Sequence, residues 1–80
     1  NHTIAYLSGG VSDYDEVSRE LRSSDILSMA PGDLIILELI PEARQLLNQE
    51  LVQAQIKLLA AFPDGAEPQA AIYERVSPQN

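Results

Sequence analysis

The sequence predicts a small α/β (or α+β) domain on a β-α-β-α-β plan, with about three strands and two helices packed on the sheet. Three observations lead there. Short apolar runs rich in β-branched residues stand at Thr3–Leu7 and Leu34–Ile40. Each is followed by a longer stretch whose apolar residues fall at helical spacing. Gly or Pro punctuates the junctions.

Taken in order, His2–Leu7 reads as a strand buried on both faces, stopped by the tight turn Ser8-Gly9-Gly10. Helix one is expected from Ser12 to about Arg22. Ser12 can accept from a free amide of the first turn, Asp13, Asp15 and Glu16 complement the positive helix start, and Arg19 and Arg22 sit near its negative end. Tyr14, Val17 and Leu21 fall at i, i+3, i+7 and form one narrow apolar stripe. A further short turn is expected through Ile26, Leu27 and Met29. In Ala30-Pro31-Gly32-Asp33, Pro presets φ and Gly supplies the positive φ of a type II turn. Leu34–Ile40 is the best candidate for the central strand, and a crossover through helix one would set it parallel to the first strand.

Pro41 then fits the first position of helix two, expected over Pro41–Phe62 and stopped by Pro63-Asp64-Gly65. Gln69–Val76 is the last strand, with Ile72 and Tyr73 as its bulky members. One domain over residues 1–76 is expected, followed by the flexible tail Ser77-Pro78-Gln79-Asn80. Tyr6-Leu7-Ser8-Gly9, placed where a strand meets a helix, resembles the start of the thioredoxin-like plan, whose clock-protein branch works without redox cysteines. A ferredoxin-like sandwich suits the element order equally. Either resemblance implies a fold and no functional residue.

The apolar residues of helix two carry the main functional expectation. Ala43, Leu47, Leu51, Ala54, Leu58, Ala61 and Phe62 lie in one broad stripe that should face the sheet. Val52, Ile56 and Leu59 form a second stripe on nearly the opposite side. A helix that covers a small sheet needs one stripe, so Val52, Ile56 and Leu59 are the expected partner interface unless the rest of the chain covers them.

Charge and composition narrow the function classes. The formal net charge is −7, and it is uneven. Residues 1–42 carry eight carboxylates against two arginines, a net −6, while residues 43–80 carry a net −1. Five scattered basic residues disfavour direct nucleic-acid binding and an anionic membrane surface. There is no Cys, and His2 is the single imidazole, so a zinc site of the usual ligands cannot be assembled. Ser8-Gly9-Gly10 lacks the spacing and the Lys of a phosphate loop, and the acids that follow it oppose a phosphate. No cofactor or metal is expected.

The leading expectation is therefore a non-catalytic interaction or regulatory domain, self-associating as a homodimer or excised from a larger protein, the chain opening on Asn1. The alternative is a small acidic inhibitor that covers a basic, nucleic-acid-binding surface with Asp13, Asp15, Glu16 and Glu20. A third is a small-ligand or enzyme domain with Ser8, Gly9 and Asp33 at a cleft mouth. With no leader peptide or membrane span to be read, a cytoplasmic setting is expected.

Overall fold

The structure, a computed structural model, describes residues 3–8, 13–18, 20–63 and 67–77. Its elements run β1 (Thr3–Ser8), β2 (Asp13–Ser18), α1 (Ser23–Leu27), β3 (Leu34–Glu38), α2 (Pro41–Leu47), α3 (Glu50–Gln53), β4 (Ile56–Phe62) and β5 (Ala70–Arg75). The strands form one sheet in the order β2-β1-β3-β5-β4, and every neighbouring pair is antiparallel. The class is α+β, with five strands and three short helices among the described residues where about three strands and two helices were expected.

Helix one is instead a strand. Residues 13–18 pair with β1 from Ser8↔Asp13 to Thr3↔Ser18, so the chain around Gly9 and Gly10 joins two antiparallel strands. Gly9, Gly10 and Ser12 themselves lie outside the described residues, as do His2, Arg19, Asp64, Gly65 and the tail beyond Ser77. Three apolar residues at helical spacing are a weak constraint on a segment this short, and strand pairing overrode them. With β2 returning the chain, β3 runs antiparallel to β1, with Ile4 opposite Leu37 and Leu7 opposite Leu34. The parallel crossover expected from the sequence is absent. β3 is nonetheless the central strand, as its apolar run requires.

Helix two divides into three. α2 ends with Asn48 as its C-cap, α3 follows for four residues, and the chain then extends as β4. The two opposed stripes of a single helix were the superposed signatures of elements with separate inward faces. Ala43 and Leu47 face inward from α2, and Val52 from α3.

The register assigns each strand residue a face. Ile4, Ile35 and Leu37 meet Ile26 of α1, Met29 just after it, Ala43 and Leu47 of α2, and Val52 of α3 in one buried cluster. Ile26, Ile35 and Val52 are fully buried, and each side chain so placed contributes about 1.5–3 kcal/mol relative to exposure. All three described helices thus cover the same side of the sheet.

Polar ties hold the connections. The turn before β3 closes as expected, with Gly32 at φ 94° and the Asp33 amide donating to the Ala30 carbonyl at 3.0 Å. Asp25 is buried at the start of α1, where its carboxylate accepts the Arg22 amide at 2.7 Å. Arg44 of α2 reaches across to the connection before β5: its Nε donates to the Leu39 carbonyl at 2.8 Å and an Nη to the Pro68 carbonyl at 2.6 Å.

Candidate interaction surface

The sheet face away from the helices is built by alternation along each strand. Its middle row runs Glu16, Ala5, Ile36, Ile72 and Ala60 from β2 to β4. On one side of that row lie Tyr14, Leu7, Leu34, Glu74 and Lys57. On the other, Glu38, Ala70 and Phe62 follow across β3, β5 and β4. A diagonal apolar band therefore crosses the face from Leu7 and Leu34 through Ile36 and Ile72 to Ala60 and Phe62. Leu7, Leu34, Ile36 and Ile72 are half-buried and Ala5 in the middle row is buried, and none of them belongs to the core cluster. The charges stand at the margins. Glu74 lies opposite Lys57 on β5 and β4, and Glu16 accepts a hydrogen bond from the Tyr14 hydroxyl at 2.6 Å. That bond, more than anything else, raises the Tyr14 phenol above its ordinary value.

The two edges of the sheet differ. β2 reads Asp-Tyr-Asp-Glu-Val-Ser, a strand guarded by carboxylates. β4 reads Ile-Lys-Leu-Leu-Ala-Ala-Phe, with one charge in seven residues. Among the described residues, the large apolar side chains most open to solvent are Tyr14, Leu51, Leu58, Leu59 and Phe62. Three of these lie on β4, and Leu51 is on α3 beside it.

Two clefts lie among the described residues. One, of about 300 Å³, lies on the helix side and is lined by Arg44, Leu47, Asn48, Leu58, Ala61 and Tyr73. Its guanidinium is already engaged by two backbone carbonyls, and partial burial raises the Tyr73 phenol above its ordinary value while Arg44 opposes the shift. The other, of about 340 Å³, lies between β1, β2 and α1, with Tyr6, Ser8, Asp15, Asp25 and Asp33 on its walls. Asp25 and Asp33 both accept backbone amides there, and no metal-binding cluster of His, Cys, Asp and Glu forms among the described residues.

The residues singled out from sequence are dispersed. Val52 is fully buried, Ile56 packs partly against the core, and Leu59 is exposed on β4 at 46%. The structure therefore does not bring the three together on one surface. Asp15 and Glu16 are exposed but point to opposite sides of the sheet, while Glu20 lies beyond β2. Asp13 starts β2 opposite Ser8. What sequence reasoning missed is the open face. Alternation in Leu34, Ile36 and in Ala70, Ile72 was the available trace, hidden because β3 is apolar on both sides. No described helix is long and apolar enough to cross a membrane. No family model matches the chain, and no curated protein or solved structure matches it.

Proposed function

We propose that this chain is a non-catalytic protein–protein interaction domain whose docking surface is the open face of the sheet. The observation that supports it is the one-sided placement of the helices. Ile26 of α1, Ala43 and Leu47 of α2 and Val52 of α3 are all buried against one side, while Leu7, Leu34, Ile36, Ile72 and Phe62 line the other. An antiparallel sheet with one solvated face ordinarily alternates apolar inward and polar outward. Here the outward face is apolar through its centre and polar only at its margins, the arrangement of a protein interface with a dry centre and a charged rim.

The test places a photo-crosslinking residue at Ala60 and compares the protein with its Ile36→Lys, Ile72→Lys variant in a cell extract. The expected outcome is protein adducts that the variant fails to form while its thermal unfolding stays cooperative. Adducts formed equally by both proteins would remove the open face from this reading.

A further inference from the structure

We propose that the apolar edge strand β4 pairs antiparallel with β4 of a second copy of this chain, joining two sheets into one and their two apolar bands into a continuous surface. This rests on the interaction-domain reading and names a partner for it. Leu58 belongs to the helix side of the sheet and Phe62 to the open side, and both are about half exposed. A partner laid on either face alone would leave the other residue in water. A partner strand added at the edge covers both, and satisfies the outward row of backbone groups that a sheet edge presents.

The order of residues along β4 suits a second copy. A β-bulge between Leu58 and Ala60 adds one residue, which brings Lys57, Ala60 and Phe62 onto the open side and Leu58 and Ala61 onto the helix side. With Leu59 left out of the pairing as the bulged residue, a two-fold axis through Ala60 sets Lys57 opposite Phe62 and Leu58 opposite Ala61, each pair sharing one side. The smallest side chain sits on the axis, and the single cation of the strand meets an aromatic ring. The two lysines stand about 13 Å apart at ~3.3 Å per residue, beyond the screening length of about 8 Å. β2 offers no such pairing, because an antiparallel copy of its acidic run would oppose carboxylates.

The experiment is sedimentation equilibrium of the purified chain over a wide concentration range, with Phe62→Lys, Phe62→Glu and the double variant Ile36→Lys, Ile72→Lys. Phe62 is exposed, so the fold tolerates either change. A dimer is expected that Phe62→Lys weakens about tenfold by opposing two lysines, and that Phe62→Glu preserves by pairing with the partner's Lys57. Equal weakening by Lys and Glu would overturn the pairing. Loss only in the double variant would overturn it in favour of face-to-face association. A monomer at all concentrations would overturn it too, and would leave the open-face reading to its own crosslinking test.

Discussion

Arg44 shows how one side chain can secure a domain this small. It lies at i+3 from Pro41, and its planar fork reaches the Leu39 carbonyl on one side and the Pro68 carbonyl on the other. The start of α2 is thereby fixed to the segment that leads into β5. Arg44→Ala is expected to cost about 2–3 kcal/mol, since it leaves two carbonyls without their charged donor. Arg44→Lys should recover little of it, because an ammonium cannot reproduce the fork. Urea unfolding of the three proteins checks this. Nothing in the sequence marks Arg44, since its partners are backbone atoms brought near by folding. Gly32 is the opposite case: Pro31-Gly32 announces its own turn, and the positive φ is found where the dipeptide requires it.

Among the elements, the turn before β3 and the strands β1, β3 and β5 were legible, and the segments that form β2 and β4 were not. Gly32→Ala is expected to cost about 1 kcal/mol from the positive φ alone, because an added Cβ meets nothing within 4 Å. Equilibrium unfolding that shows no loss would mean the turn relaxes freely. β2 looked helical because Asp13, Asp15 and Glu16 suit a helix start, and those charges suit an exposed edge strand equally well. β4 looked helical because Leu and Ala have high helix propensity. Its pairing with β5, from Ile56↔Arg75 to Phe62↔Ala70, decided otherwise. Local preference of a few tenths of a kcal/mol per residue is overridden when the extended form completes a sheet.

At the scale of the whole molecule, the sheet and its single helical layer set both the stability and its pH limits. Tyr73 stands opposite Ile35 on the helix side, and burial raises its phenol above the ordinary 10.0, with Arg44 acting the other way. A folded pKa above the unfolded one means that the native state holds the proton more tightly. Its contribution is complete below pH 10 and is lost as pH rises through the raised value. Stability should therefore fall on the alkaline side, and less steeply in Tyr73→Phe. Denaturant melts from about pH 9 to about pH 11 would show it, and parallel curves for the two proteins would assign the loss elsewhere. The net −7 adds self-repulsion without naming a partner. The apolar band from Leu7 to Phe62 is the surface on which the proposed interaction rests.

By itself the sequence determined the class of a small mixed domain, the first strand, the Pro31-Gly32 turn, the central place of the strand that begins at Leu34, the helix start at Pro41 and a last strand after Pro68. Each rests on chemistry contained within a few residues: a ring that fixes φ, a missing Cβ, an unbroken apolar run. Only the tertiary structure decided that residues 13–18 and 56–62 are strands, that every pairing is antiparallel, and that Val52 belongs to the core while Leu59 does not. Those outcomes depend on hydrogen bonds and burial between segments far apart in the chain. The open face arose in the same way, since three helices chose one side of a sheet whose middle strands are apolar on both.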